Sequence, residues 1–216
     1  MDNVCVILPC LNEKESINKV IEGLKPEWKL VIADGGSTDG TLSIIKKREC
    51  IIDCPEKGKG NQIQFIHSHA NAAYIVMLDS DNTYPTEFIM LMLNKLRNSK
   101  YDIIIGKRIP EKGAMSTIHK AGNLILTAAA NLLYKEKTPD LCSGMWAFTR
   151  FAWQSLKIRA KGFDLEANLF TEANKKKLRI GWIPIEYRAR QGSKAKLKFS
   201  HGWTILKWLI KEKLWK

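Results

Sequence analysis

The sequence predicts an α/β protein with a mostly parallel central sheet and helices on both faces. Three observations point there. Short apolar runs alternate with amphipathic stretches through the first half of the chain. The residues that follow those runs are polar and acid-bearing, as they are where the strands of an open sheet end in a binding crevice. With 216 residues, 45% hydrophobic and 9% aromatic content, the chain has an ordinary globular core for one such unit.

Taken in order, residues 4–8 read as a strand and 15–24 as a helix, 30–33 as a strand and 41–47 as a helix. Residues 73–78 form the next strand, 87–96 the next helix and 101–105 a further strand. Short apolar runs bounded by turn residues suit strands buried on both faces, and strand-helix-strand alternation builds a parallel sheet. Residues 121–134 are the longest apolar stretch, interrupted by Asn123, Thr127 and Asn131. These recur at every fourth position, so the stretch reads as a helix with one polar stripe and Leu124, Leu126, Leu132 and Leu133 on its other faces. It is too short and too broken to span a bilayer.

The last third, from Pro139 onward, mixes short segments with many Lys and Arg. No internal repeat, low-complexity tract or Pro/Gly-rich linker divides the chain, so a single domain is expected over residues 1–198, followed by a basic, Trp-rich tail, 199–216. If helical, the tail gathers Ile205, Leu206, Leu209 and Ile210, with lysines outside them and Trp203, Trp208 and Trp215 at the margins. That composition serves a membrane interface, and equally a terminal helix packed on the domain with its lysines in water.

A balance of 35 Lys+Arg against 22 Asp+Glu, a formal net charge of +13, calls for a polyanionic partner: nucleic acid, an anionic membrane or a phosphorylated substrate. No RRM-type aromatic motif or helix-turn-helix pattern accompanies the basic residues, which argues against nucleic acid. Cys5, Cys10, Cys50, Cys54 and Cys142 are odd in number and form no CxxC pair, and the first residues lack a signal peptide's pattern, so a reduced, cytoplasmic protein is expected. The four histidines, His67, His69, His119 and His201, read as structural or solvent-facing.

The strongest chemical signal is Asp79-x-Asp81, which directly follows the apolar run ending at Leu78. Two carboxylates so spaced can grip a hard divalent cation, Mg²⁺ or Mn²⁺, that also holds the phosphates of a nucleotide. An exposed turn with an Asx cap explains an isolated Asp-x-Asp as well, so its company decides. Pro9-x-x-Asn12-Glu13 and the segment from Asp34 through Asp39 to Thr41 precede it, each at a predicted strand end.

Together these motifs resemble the family 2 glycosyltransferases with the GT-A fold, a single Rossmann-like domain. Within that family they are most similar to the polyprenyl-phosphate sugar synthases that make dolichol-phosphate mannose or glucose. The likeness runs from about Asn3 to about Leu197. It implies that 1–98 is the nucleotide-sugar half and 99–198 the acceptor half. Pro9, Asn12, Glu13 and Asp34 match residues that meet the nucleoside, Lys59 in Lys57-Gly58-Lys59-Gly60 falls near the sugar nucleotide, and Asp79, Ser80 and Asp81 match the phosphate and metal residues.

On the acceptor side, Gly106-Lys107-Arg108 resembles the family's Gly-Ser-Arg, Lys120 falls where an Arg is usual, and Asp140-x-x-Ser143-Gly144 matches Asp-x-x-Ser-Gly. Arg190-x-Gly192-Ser193-Lys194 resembles a phosphate-binding signature, one residue shorter here. Arg108, Lys120, Ser143, Arg190, Ser193 and Lys194 are thus the implied phosphate contacts, and Glu166, with Asp164 beside it, matches an acid of the acceptor half. The chain departs from the pattern at Gly35, where a second Asp is common, at Thr83, where mannose synthases tend to have Gln, and at Trp146, near a frequent Arg.

The resemblance therefore implies inverting, metal-assisted transfer of a hexose from a UDP- or GDP-sugar to a polyprenyl (dolichyl) phosphate, with Asp79, Asp81, Arg108 and Glu166 as catalytic residues. Such an acceptor, with a second pKa of about 6, is largely dianionic at neutral pH and needs little help from a base. The alternative is a hydroxyl of a glycan or lipid-linked saccharide, for which Glu166 or Asp164 would serve as the base. The implied setting is peripheral, on the cytoplasmic face of a membrane, with room for a separate integral-membrane partner.

Overall fold

The computed structural model describes residues 3–45, 51–54, 56–191 and 200–214, with 51–53 and 200 by their backbone alone. Seven described strands form one sheet in the order β3-β2-β1-β4-β6-β5-β7: β1 (Val4–Cys10), β2 (Lys29–Asp34), β3 (Ile51–Asp53), β4 (Tyr74–Met77), β5 (Ile103–Pro110), β6 (Trp146–Thr149) and β7 (Ile180–Tyr187). All neighbours are parallel except that β6 lies antiparallel between β4 and β5. The sheet is thus mostly parallel, as expected.

Period-2 alternation sorts each strand's side chains between two layers. On β1, Cys5 and Ile7 join one apolar cluster while Val4, Val6 and Leu8 join the other. The second cluster is covered by α1 (Ile17–Glu22), α2 (Thr41–Ile45) and α4 (Phe88–Asn98), which contribute Ile17, Val20, Ile45, Ile89 and Leu93. The first is covered by α3 (Lys59–His67), α5 (Thr117–Tyr134), α6 (Arg150–Ser155), α7 (Leu165–Lys175) and α8 (Ser200–Leu214). Trp146 and Trp153 are its largest fully buried side chains, and truncating either to Ala would cost about 3–5 kcal/mol. Trp146 is a core residue of β6, not a cleft residue, and its indole N–H donates to the Ser143 carbonyl at 2.6 Å.

Strand order reverses direction at β1, whose neighbours are β2 on one side and β4 on the other. The crevice beyond the carboxyl ends of β1 and β4 is where such a sheet takes a ligand. Two hydroxyls tie these ends together: Ser80 Oγ donates to the Pro9 carbonyl at 2.9 Å, and Ser16 Oγ donates to the Ser80 carbonyl at 3.0 Å.

The helix over 121–134 begins earlier than the sequence suggests, at Thr117, where the Ser116 hydroxyl accepts from the His119 N–H. Its polar stripe faces inward. Asn123 Oδ1 accepts from the Cys142 N–H at 3.2 Å, Thr127 Oγ1 from the Leu141 N–H at 3.1 Å and Asn131 Oδ1 from the Thr138 N–H at 2.9 Å. These bonds hold the 138–142 loop that leads into β6. Helix α8, within the expected tail, packs on both α5 and α7: the Tyr134 hydroxyl donates to the Leu209 carbonyl at 2.9 Å and the Trp208 indole donates to Thr171 Oγ1 at 3.2 Å. No described helix is long and apolar enough to cross a membrane.

Candidate active site

A cavity of about 820 Å³ opens over the carboxyl ends of β1 and β4 and extends to the amino-terminal halves of α5 and α8. Its inner wall carries Pro9, Glu13, Lys59, Asp79, Ser80, Asp81, Arg108, Glu166 and Arg190. The structure thus brings both carboxylates of Asp79-x-Asp81 together with acids and bases from five other segments.

Two cations organise the acids. Lys59 Nζ lies 2.6 Å from Asp79 Oδ1 and 2.6 Å from Glu166 Oε1. The Arg190 guanidinium pairs with Asp81 Oδ2 at 2.5 Å through Nη1 and with Glu13 Oε1 through Nη2. Burial works against the Lys59 charge, but Asp79 and Glu166 outweigh it and raise the ammonium's pKa well above its ordinary value. Burial raises Glu166 in turn, with Lys59 opposing. Burial and the neighbouring Asp79 charge likewise raise Asp81, against the pull of Arg190.

The glycines around Lys59 explain its placement. Gly58 adopts φ +119°, and a Cβ on Gly60 would lie 2.2 Å from the Ala160 carbonyl oxygen. Only glycine lets the start of α3 sit against the 160–161 backbone, which brings Lys59 to Glu166 in the first turn of α7. Gly144 has a similar reason: a Cβ there would lie 2.3 Å from Asp79 Oδ2. Its N–H donates to the buried Tyr84 hydroxyl at 2.6 Å. Thr83, where Gln occurs in mannose synthases, orients Asp81 by donating its hydroxyl to Oδ1 at 2.7 Å.

Arg108, at the end of β5, forms a forked pair with Asp140, Nε to Oδ2 at 2.8 Å and Nη2 to Oδ1 at 2.7 Å. Its guanidinium also lies over the Tyr187 ring, 5.4 Å from the centroid. Burial opposes the Arg108 charge, and Tyr84 and Asp140 more than offset that. One edge of the guanidinium is thereby fixed by Asp140 while the residue lines the cavity.

Other residues named from the sequence are placed differently. Ser37 Oγ accepts from the Asn12 N–H at 2.8 Å and donates to Asp34 Oδ1 at 2.5 Å, so Asn12 and Asp34 shape the joint between the first two loops and do not line the cavity. Asp34 also accepts from the N–H groups of Gly36 and Ser37. Ser143 is fully buried and donates to the Gly106 carbonyl at 2.6 Å. Lys120 is exposed on α5 and also lies outside the cavity lining. Ser193 and Lys194 lie outside the described residues, as do Cys50 and Trp215.

The structure adds residues that the sequence did not single out. Gln62 donates through Nε2 to the carbonyls of Cys10 at 2.5 Å and Ala33 at 2.9 Å, clamping the ends of β1 and β2 beside the cavity. A Cβ on Gly35 would meet that amide at 2.9 Å, which accounts for a glycine where an Asp is common. Tyr84, Tyr187 and Phe163 line the cavity too, as does His119, which was expected to be structural or solvent-facing. None of these announces itself by motif: Gln62 and His119 stand within α3 and α5, Tyr187 ends β7, and Tyr84 and Phe163 lie in connecting loops.

Asp79 and Asp81, paired here with Lys59 and Arg190, are the hard carboxylates that could contribute to a Mg²⁺ or Mn²⁺ site. No group of three His, Cys, Asp or Glu suited to a metal occurs among the described residues.

Comparison with known proteins identifies the family. The model for "Glycosyl transferase family 2" matches residues 5–156. Glycosyltransferase AglJ of Haloferax volcanii is 32% identical over 195 residues, 88% of this chain and 64% of that protein. The low-salt glycan biosynthesis hexosyltransferase Agl6 of the same organism is 31% identical over 217 residues, 95% of this chain and 52% of that protein. The chain thus spans about half to two thirds of the length of these two relatives. A dolichyl-phosphate hexose transferase of H. volcanii is 28% identical over 97% of this chain and 93% of its own length. Among solved structures, glucosyl-3-phosphoglycerate synthase of Mycobacterium tuberculosis with Mn²⁺, UDP-glucose and phosphoglyceric acid superposes with a TM-score of 0.79 at 20% identity, over 98% of this chain and 80% of that one. The fold is GT-A, and the chain belongs to glycosyl transferase family 2.

Proposed function

We propose that the chain transfers a hexose from a UDP- or GDP-sugar to a polyprenyl (dolichyl) phosphate with inversion at the anomeric carbon. One observation carries the reading: a single cavity runs from a charged inner wall, with Asp79, Asp81, Arg108 and Arg190, to an apolar mouth formed by Ile118, Ile125, Trp203 and Leu206. A lipid phosphate has the same division of polarity. The names of the relatives support the donor class and this acceptor class, since one is a dolichyl-phosphate hexose transferase and the M. tuberculosis synthase holds UDP-glucose.

In this reading residues 1–98 bind the nucleotide sugar and 99–198 the acceptor, with Pro9, Asn12, Glu13 and Asp34 shaping the nucleoside side. Asp79 and Asp81 would hold Mg²⁺ or Mn²⁺, which when bound offsets the negative charge of the leaving diphosphate. Arg108, its fork anchored by Asp140, presents its remaining N–H groups to the acceptor phosphate. Arg190 reaches the same space from beyond β7, while Lys120 stands apart from it on α5. The dianionic phosphate attacks without a base, so positioning and charge stabilisation dominate. Lys59 holds Asp79 and Glu166 in place. The reaction takes place peripherally, on the cytoplasmic face of a membrane, with an integral-membrane partner allowed for.

A hydroxyl acceptor is the second reading, favoured by Glu166: a buried carboxyl of raised pKa lining the cavity is suited to general-base work. Offering the enzyme a short-chain polyprenyl phosphate and the matching polyprenol, with the same donor and metal, separates the two. Product from the phosphate alone supports the first reading; product from the alcohol alone overturns it.

A further inference from the structure

A second cavity, of about 420 Å³, lies at the outer edge of the sheet. It is bounded by the first half of β7, which is the edge strand, by Tyr101 just before β5, by Lys95 of α4 and by the 136–139 turn that follows α5. β5 and β7 run parallel, and their carboxyl-terminal halves, with Arg108 and Tyr187, reach the active-site cavity. The second cavity sits toward the amino end of β7 and shares no described lining residue with the first. Its volume falls within the range of small-ligand sites, about 300–1,000 Å³.

Two aromatic rings supply its apolar surface. Trp182 is 42% exposed and Tyr101 37%. The Tyr101 ring is seated against Gly181: a Cβ there would lie 2.7 Å from a ring carbon, so a glycine is what admits the ring. A lysine stands over each ring, Lys95 Nζ 5.7 Å from the Tyr101 centroid and Lys107 Nζ 5.4 Å from the Trp182 centroid. Lys95 Nζ also donates to the Trp182 carbonyl at 2.9 Å. Beside the rings stands Thr138, which lines the cavity and is 5% exposed. Its N–H donates to Asn131 Oδ1 at 2.9 Å and its carbonyl accepts from Asn131 Nδ2 at 2.8 Å, but its hydroxyl has no hydrogen-bond partner among the described residues. Buried hydroxyls are normally satisfied, so this one marks a place for a ligand's polar group. Glu136 and Lys137, both exposed, add an acceptor and a donor at the rim.

We propose that this cavity is a second binding site, for a neutral saccharide. Charge and shape select that class. Lys95 and Lys107 are engaged by the rings, Lys95 by a carbonyl as well, and Lys137 is balanced by Glu136, so little positive charge remains to hold a phosphate. A hydrocarbon would leave the Thr138 hydroxyl and the rim groups unmet. A pyranose answers both features: its C–H face packs on electron-rich ring faces, and the hydroxyls around its edge pair with donors and acceptors in turn. The sugar is bound here and not transferred, since Asp79, Asp81, Arg108 and Arg190 all face the other cavity. The inference goes beyond the transfer reaction and does not rest on the identity of its acceptor.

The test uses the full chain labelled with fluorotryptophan and followed by fluorine NMR, the Trp182 resonance being assigned by its loss in Trp182→Phe. Methyl glycosides of glucose, mannose, galactose and N-acetylglucosamine, with maltose and cellobiose, are titrated to about 10 mM. At least one should shift the Trp182 resonance saturably. Tyr101→Ala, with an unchanged circular dichroism spectrum and melting temperature, should weaken that binding by roughly tenfold. Thr138→Val, close in shape to the native residue, should weaken it by roughly threefold or more. Asp81→Ala should leave it unchanged, which separates this cavity from the donor site. No saccharide-dependent shift of Trp182, binding that both variants keep in full, or a response lost in Asp81→Ala would overturn the proposal. So would saturation by inorganic phosphate at a lower concentration than by any saccharide, which would make this an anion site. Sugar transfer, assayed separately, reports on the active-site reading.

Discussion

Lys59 Nζ lies 2.6 Å from Asp79 Oδ1, and the same ammonium lies 2.6 Å from Glu166 Oε1, so one largely buried cation joins the acid at the end of β4 to the acid in the first turn of α7. Removing it leaves two close, poorly solvated carboxylates. Lys59→Met should cost about 3 kcal/mol of stability and lower transfer by roughly a hundredfold. Urea unfolding and initial rates check both; a variant as stable and active as wild type would show that the bridge is incidental.

Gly144 tests the placement of Asp79 more gently. The methyl group of Gly144→Ala would fall 2.3 Å from Asp79 Oδ2, and Lys59 leaves that carboxylate little freedom to turn aside. The expected outcome is a stability loss of about 1–3 kcal/mol and a weakening of metal-dependent nucleotide binding by roughly tenfold or more. Calorimetric titration with UDP or GDP in the presence of Mn²⁺ measures it.

Cys142 lines the cavity next to the Arg108 and Asp140 pair. Burial pushes its thiol up to about 12, with Arg108 opposing and Glu166 adding to the rise. Since the thiolate is the reactive form, iodoacetamide at pH 8 should modify Cys142 on the order of a thousandfold more slowly than an ordinary free thiol, and quickly once urea unfolds the chain. Peptide mapping by mass spectrometry distinguishes it from the other cysteines.

Glu212 ties α8 to the domain through Arg159 at 2.6 Å and Lys175 at 2.5 Å. Burial would raise its pKa, but the hydrogen bonds and charges of Lys175 and Arg159 prevail and hold it below the ordinary value. A carboxyl depressed in the folded state contributes stability above its unfolded pKa of about 4.3 and loses it as pH falls through the folded value. Glu212→Gln should therefore cost roughly 1–2 kcal/mol at pH 7, and its melting temperature should converge on that of wild type below about pH 4. A gap that persists unchanged to pH 3 would contradict the assignment.

The nucleotide-side half of the fold was legible because its strands are buried on both faces and end in loops whose acids stand out. The runs at 4–8, 30–33 and 73–78 correspond to β1, β2 and β4 within two residues at each end. The signal fades where strands are short: β3 has three residues and β6 four, and neither is long enough to show a period. In α5 the spacing disclosed a polar stripe but not its direction, which is set by the 138–142 carbonyls and N–H groups that the stripe satisfies. In α7, Glu166, Asn168 and Glu172 are all buried, Asn168 because its Oδ1 accepts from the N–H groups of Arg159 and Ala160. Composition alone reads such a helix as solvated. The motif residues Asp79, Asp81, Glu13 and Arg190 do converge, whereas the inward turn of Asp34 and Ser143 depends on local hydrogen bonds that a motif does not encode.

The most direct measurement is a transfer assay with a panel of UDP- and GDP-hexoses, Mg²⁺ or Mn²⁺ and a short-chain polyprenyl phosphate, run beside Asp81→Ala. One donor should yield a sugar-phosphate lipid of inverted anomeric configuration, in a reaction that EDTA abolishes and that the variant slows by roughly a hundredfold or more. Hydrolysis of every donor without lipid product, or transfer only to a hydroxyl acceptor, would contradict the account.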